Sequence, residues 1–156
     1  MRKPDDERKQ SDGETIARPV AEGSDAGDRD AAGLQLVWLK RDIRISDHAP
    51  LTRAAASGRC VAIYVYEPEL LTHPTTHARH LAFGNEALRD LAECLTRLGG
   101  RLLTRVGDLH EVFDRLDATH PIASLWSHEE NGVGVTYERD RRVKAWAKRN
   151  LIEWVE

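Results

Sequence analysis

The chain has 156 residues, of which 40% are hydrophobic and 31% charged, and its formal net charge is −3. This length suits one domain with a hydrophobic core, and the near balance of charges argues against a uniformly basic nucleic-acid surface. No apolar run reaches the roughly 18 to 20 residues that cross a bilayer, and the N-terminus lacks the layout of a signal peptide, so we expect a cytoplasmic protein without membrane contact.

The N-terminal tail differs in composition from the rest of the chain. Residues 1–33 hold six basic and nine acidic residues, with Ile16 and Val20 as their only large aliphatic side chains. So few apolar groups cannot offset the entropy that a chain loses when it is ordered. We therefore predict a disordered tail over residues 1–33 and a folded domain over residues 34–156.

Short apolar segments alternate with amphipathic ones from residue 34 onward. The apolar segments are LQLVWL, RCVAIYVY, GRLLTRV, PIASLW and LIEWV, and each is typical of a strand buried on both faces. Helices are predicted from Asp47 as N-cap, within residues 75–100, from Asp108 with Glu111 as a capping box, and from Thr136 with an exposed basic side. This order predicts an α/β fold: a three-layer, doubly wound, five-stranded parallel Rossmann-like sheet with helices on both faces.

The loops that follow the strands carry none of the common catalytic or phosphate-binding motifs. A GxGxxG after the first strand, a P-loop and a GxSxG elbow are all missing, and the GxG within NGVGV at 131–135 is typical of a turn. The spacing of His73, His77 and His80, and the SHEE segment at 127–130, favour solvated surface over a metal or acid–base site. We therefore predict neither a catalytic residue nor a metal ligand.

Several motifs resemble one known family. The segment LVWLKRDIRISDHAPL, residues 36–51, resembles the first strand and loop of the DNA photolyase and cryptochrome family. VYEPELL at 65–71 is similar to that family's second strand and turn, and ARHLAF with LRDLAECLTRLGGRLLTRVGD is similar to its long helix and third strand. LWSHEE and RDRRV resemble a later segment, so the likeness extends over residues 34–156 at consistent spacing.

The resemblance implies a fold and a function for the whole family. Its members use light-excited FAD to repair pyrimidine dimers in DNA, and a C-terminal helical domain holds both the flavin and the lesion. This chain would be the N-terminal α/β, antenna-binding domain of a deoxyribodipyrimidine photolyase-like flavoprotein. It would not be catalytic alone, because it ends where the linker to the FAD-binding helical domain begins. DNA would be bound through that missing partner domain. Two alternatives stay open: part of a cryptochrome-type blue-light photoreceptor, and a free-standing nucleotide-binding α/β module.

The resemblance also implies where an antenna chromophore would bind. Carried over from the family's motifs, the cofactor-binding residues are Tyr66, Glu67, Pro68, Arg79 and Glu129. A deazaflavin or flavin is favoured over a folate, because Thr136 stands where folate-binding members carry a glutamate. An antenna passes excitation through space, so this site needs no acid, base or nucleophile.

Four charged residues after the first strand are predicted to form a domain interface. They are Lys40, Arg41, Asp42 and Arg44. We expect them to pair with one another and with the helical domain, because charges of mixed sign fix the register between two surfaces when each has a partner.

Overall fold

A parallel β-sheet organises the part of the chain that the computed structural model describes, residues 33–130 and 134–156. Its strands are β1 (Leu34–Leu39), β2 (Cys60–Tyr66), β3 (Leu102–Val106), β4 (Ile122–Trp126) and β5 (Glu153–Val155). They lie in the order β3-β2-β1-β4-β5, with every neighbouring pair parallel. The predicted tail over 1–33, apart from Gly33, and most of NGVGV lie outside the described residues.

Helices connect the strands and cover both faces of the sheet. They are α1 (Ala49–Ser57), the short α2 (Pro68–Leu71), α3 (Ala78–Arg97), α4 (Leu109–Thr119) and α5 (Gly134–Arg149). Among the described residues, no helix combines the length and the apolar character that crossing a membrane requires.

Two hydrophobic clusters, one on each face, hold the three layers together. On one face Val37 and Leu39 of β1 pack with Ala54 of α1 and with leucines of α3. On the other face Trp38 packs with residues of α4 and α5, including Phe113 edge-on at 5.9 Å. Alternate β1 residues therefore serve opposite faces, as the period of two in a strand requires. The predicted three-layer α/β fold is confirmed.

Burial differs between the centre and the edges of the sheet. All six residues of β1 are buried, because β1 is the middle strand and has helices on both sides. The prediction that every strand is buried on both faces is wrong for β3 and β5, which form the edges and are partly exposed. Val106 at the end of β3 is 69% exposed. An apolar run in the sequence does not reveal which strand will lack a neighbour.

The helix starts correct two details of the prediction. His48, and not Asp47, is the N-cap of α1, and its Nδ1 accepts a hydrogen bond from the Leu51 backbone N–H at 3.1 Å. Asp47 instead takes a positive φ of 52°, a conformation that Asp tolerates better than most residues. Asp108 does cap α4 by accepting from the His110 N–H at 2.8 Å, as predicted. The last helix begins at Gly134, two residues before the predicted start.

Candidate functional site

The candidate site lies at the carboxyl edge of the sheet, where the strand order reverses. The chain leaves β1 towards β2 on one side, while β4 and β5 lie on the other side of β1. The loops after β1 and β4 therefore part at this point, which is where doubly wound sheets bind ligands. We call the region formed by these two loops, the turn after β2 and the first half of α5 the switch-point cleft. Charged side chains fill its floor.

Lys40 is the most buried charge of the switch-point cleft. Its side chain is 2% exposed, and its Nζ lies 2.9 Å from Asp140 Oδ2 and 3.1 Å from Glu156 Oε1. The same ammonium stands over the rings of Trp38 and Trp154, at 4.7 and 5.2 Å from their centroids. Two carboxylates and two aromatic faces replace the water that this cation loses on burial.

Arg139 is the second buried cation and joins three parts of the cleft. Its guanidinium donates to Glu67 Oε1 at 3.3 Å, to Glu130 Oε2 at 2.5 Å and to Asp140 Oδ1 at 2.8 Å. These carboxylates come from the turn after β2, the loop after β4 and α5 itself. The guanidinium also lies 4.7 Å from the Trp38 ring centroid. Arg139 thus ties the β2 turn to the β4 loop across the cleft.

Glu67 carries the most unusual acidity of this cluster. Burial raises the pKa of its carboxyl to about 7, an effect that Arg139 opposes and that the neighbouring charges of Asp140 and Glu130 reinforce. Burial alone would lower the pKa of Arg139, but these carboxylates raise it. Both pKa values are raised, but the consequences for the ion pair conflict. A raised pKa favours the neutral form of Glu67 and the charged form of Arg139. We resolve this by distance: Arg139 stays charged through its two shorter contacts, and Glu67 is the partner that takes up a proton near neutrality.

Asp42 is the centre of a second, separate cluster. Its Oδ1 accepts from the Lys40 backbone N–H at 2.9 Å, while Oδ2 lies 2.8 Å from His48 Nε2 and 2.6 Å from His128 Nδ1. Burial alone would raise the pKa of this carboxyl, but hydrogen bonds from His48, His128 and the Lys40 backbone outweigh burial and hold the pKa well below its usual range. Asp42 is therefore an ionised acceptor for several donors at once.

The ligand atoms of Asp42, His48 and His128 lie within 4.8 Å of one another, close enough to raise the question of a metal ion. The positions of the protons on the His48 ring argue against a metal ion. Because the Leu51 N–H donates to His48 Nδ1, that nitrogen carries no proton, and the proton of the neutral ring lies on Nε2. A protonated nitrogen cannot coordinate a metal, and metal-bound histidines donate from their other nitrogen, not accept. The His48 Nε2 to Asp42 contact is short but bent away from good hydrogen-bond geometry. We regard this cluster as a hydrogen-bonded network.

The four residues predicted to face a helical domain have partners within this domain. They are Lys40, Arg41, Asp42 and Arg44. Two backbone N–H groups bond within this set: that of Lys40 donates to Asp42 Oδ1 at 2.9 Å, and that of Arg44 donates to the Asp42 carbonyl at 2.8 Å. Arg44 donates to the Asp47 carbonyl at 3.1 Å within its own loop. Arg41 is 70% exposed, with its Nε 2.9 Å from Glu130 Oε1. Of the four, the Arg41 and Arg44 side chains are the more accessible to a second domain, and the interface role stays a prediction.

The predicted antenna residues do not all meet in the structure. They are Tyr66, Glu67, Pro68, Arg79 and Glu129. Tyr66 ends β2 and its hydroxyl donates to Asn85 Oδ1 at 2.5 Å, and Pro68 opens α2 directly after Glu67. Arg79, in the first turn of α3, and Glu129 are both exposed. The acidic side chain after β4 that turns into the cleft is Glu130, which is 9% exposed. The antenna assignment stays a prediction.

Several residues of the cleft were not predicted from the sequence. The basic run of α5 predicts an exposed face, yet Arg139 is buried under the cleft. His128 and Glu130 lie in the SHEE segment, which the sequence indicates as solvated. Glu130 is buried beside Arg139, and His128 contacts Asp42 while remaining partly exposed. The signal that could have found them is their position directly after β4, at the predicted switch point.

The fold and the cleft together define a class: doubly wound α/β domains with a charged switch-point site. Residues 35–156 match the DNA photolyase family, and the match covers the whole sheet except Leu34, the first residue of β1. The chain belongs to that family. It is 32% identical over 101 residues to a cryptochrome DASH from Synechocystis sp., which covers 61% of this chain and 21% of that protein. It is 31% identical over 125 residues to a deoxyribodipyrimidine photo-lyase from Halobacterium salinarum, covering 71% of this chain and 24% of that protein.

A solved structure agrees with the sequence comparison. A cryptochrome from Synechocystis sp. superimposes with a TM-score of 0.70 at 26% identity, over 76% of this chain and 26% of that one. The chain thus spans about a fifth to a quarter of the relatives it matches. The similarity is to the N-terminal α/β domain of these proteins, as the motifs predict.

Proposed function

We propose that this chain provides the N-terminal α/β domain of a light-dependent, photolyase-type flavoprotein, in which it holds an antenna chromophore in the switch-point cleft and supports a FAD-binding helical domain. The observation that carries the proposal is the family match over residues 35–156, which contains the cleft and all of the sheet except Leu34. Repair of DNA, FAD and the lesion belong, in this proposal, to the helical domain. The chain acts in the cytoplasm and alone is not catalytic.

The antenna part of the proposal is supported by the chemistry of the cleft. Tyr66 ends β2 at the cleft, and Glu67 follows it in the turn, where Arg139 donates to the Glu67 carboxylate at 3.3 Å. A carboxyl that is protonated near neutral pH can donate or accept, which suits the carbonyl and N–H groups along one edge of a flavin or deazaflavin ring. Thr136 lacks the carboxylate expected of a folate site, so the tricyclic pigments remain the better candidates.

The docking part is supported by the exposure of Arg41. Its guanidinium reaches the surface while its Nε stays beside the buried carboxylate of Glu130. Such a residue can contact a second domain without losing its internal partner. Lys40 and Asp42, through their own contacts within the domain, fix the loop that carries Arg41.

The relatives carry two kinds of name, cryptochrome DASH and deoxyribodipyrimidine photo-lyase. A photoreceptor role without repair is therefore the second candidate. The proposed antenna function of this domain is common to both.

The test is equilibrium binding of three pigments to the purified 156-residue chain: riboflavin, a 5-deazaflavin and methenyltetrahydrofolate. Fluorescence polarisation should report binding of the first two and little of the third. Arg79→Ala should weaken pigment binding about tenfold, as expected for the loss of one charge-assisted hydrogen bond. Arg53→Ala, on the exposed side of α1, is the matched control and should change nothing. If none of the three pigments binds, the antenna function is wrong; if Arg79→Ala binds normally, only the assignment of Arg79 is wrong.

A further inference from the structure

The protons of the Asp42 network determine which nitrogen of His128 is available to a ligand. Asp42 is an ionised carboxylate and can only accept, so the ring nitrogen 2.6 Å away, His128 Nδ1, must be the donor. In the neutral ring this leaves Nε2 without a proton and with its lone pair directed away from Asp42. Within residues 33–130 and 134–156, no hydrogen bond reaches that Nε2.

The ring of His128 is held in this state from several sides. Asp42 is itself fixed by a hydrogen bond from the Lys40 N–H to its other oxygen, and His48 Nε2 lies 2.8 Å from the oxygen that His128 contacts. The His48 ring cannot rotate freely, because its Nδ1 caps α1, and its centroid lies 4.5 Å from that of the His128 ring, which is tilted by 51° against it. The His128 side chain is nevertheless 33% exposed. A rigid acceptor thus reaches the surface at the point where the sheet order reverses.

We propose that His128 is a specificity-determining residue of the switch-point cleft, whose Nε2 accepts a hydrogen bond from a ring N–H of the bound pigment. The inference rests on the proposed antenna function and adds the group that the pigment must present. The unprotonated Nε2 of this tautomer accepts a hydrogen bond from an imide or amide N–H. It has no proton to donate to a carbonyl, so it distinguishes ligands that present an N–H from those that present an oxygen. Asp42 is the positioning residue, because it sets the tautomer without touching the ligand.

Specificity of this kind predicts a clear preference between two pigments that differ in one atom group. Riboflavin presents an imide N–H at N3, and N3-methylriboflavin presents a methyl group there. The native chain should bind riboflavin about tenfold more tightly, the usual size of one net hydrogen bond. His128→Phe keeps a planar ring but has no acceptor, so it should bind both pigments with nearly equal affinity. His120→Ala, an exposed histidine after α4, is the control and should keep the native ratio.

A second measurement is independent of any pigment. Long-range ¹H–¹⁵N correlation spectra at about pH 8, above the usual titration of histidine, report which ring nitrogen carries the proton. We expect Nδ1–H for His128 in the native chain. In Asp42→Asn the new amide can donate to Nδ1, and the proton should move to Nε2, with riboflavin binding weakened about tenfold.

The outcomes separate this inference from the function on which it rests. A proton on His128 Nε2 in the native chain overturns the inference whether or not pigment binds. Equal binding of riboflavin and N3-methylriboflavin overturns it while the antenna function stands, and so does an unchanged ratio in His128→Phe. Binding of neither pigment overturns the inference, and it overturns the antenna function as well if the 5-deazaflavin and methenyltetrahydrofolate also fail to bind.

Discussion

Replacing Glu67 by glutamine should remove a pH dependence from the stability of the domain. The Glu67 side chain is 10% exposed, and its pKa of about 7 compares with an ordinary value of 4.5. Because the folded state then binds the proton more tightly than the unfolded chain, Glu67 contributes its full stability below about pH 4.5 and loses it as the pH rises through 7.

The size of the effect follows from that interval. One proton taken up over the range from pH 4.5 to about 7 corresponds to about 3 kcal/mol of unfolding free energy at most. We expect about 2 kcal/mol between about pH 5 and about pH 8, because part of the effect is already lost at about pH 5. Asp42 affects a different window, since its lowered pKa costs stability only as the pH falls below its ordinary value of 3.8.

Urea denaturation of the native chain and of Glu67→Gln, at about pH 5 and about pH 8, measures the difference directly. The native chain should lose about 2 kcal/mol more than the variant between these two conditions. Glu111→Gln is the matched control, because Glu111 is 72% exposed and forms an ion pair with Arg115, one turn along its own helix. Parallel pH profiles for the native chain and Glu67→Gln would refute the assignment of the raised pKa to Glu67.

Two further substitutions test the buried charge and the helix cap. Lys40→Met should lower the unfolding free energy, measured in urea, by about 3 kcal/mol, because Asp140 and Glu156 lose a buried cation. Lys148→Met, at an exposed position, is the control and should have almost no effect. A Lys40→Met variant as stable as the native chain would mean that the ammonium is dispensable. Asp108→Ala should lower the unfolding free energy by about 1 kcal/mol, measured by thermal or urea unfolding. Asp108→Asn should lower it much less, because asparagine keeps an acceptor for the first turn of α4. Equal losses in both variants would contradict capping by the side chain.

The fold could be predicted from the sequence because its signals are local. Alternating apolar and amphipathic segments specify five strands and their helices, and Asp108 marks a helix start through its own side chain. The exposure of Val106 could not be predicted, because it depends on which strand lacks a neighbour. His48 replaces Asp47 as a cap for a related reason: the backbone of the loop decides which side chain faces Leu51.

The sequence predicts where the cleft lies but not which residues form it. The rule of the switch point directs attention to the loops after β1 and β4, and these loops do form the site. Arg139 lies 99 residues after Lys40 in the chain, and no local pattern indicates that both will stand on the ring of Trp38. Their meeting depends on how α5 crosses the sheet, which is a property of the packed layers.

Trp38 has a double role that limits how this domain can be altered. One side of the indole is part of the hydrophobic interior through Phe113, and its π-face receives the Lys40 and Arg139 cations. Interior packing and ligand chemistry consequently share a single ring. An engineer who transplanted only the loops of the cleft onto another α/β scaffold would leave both cations without their aromatic support, so β1 has to be transferred with them.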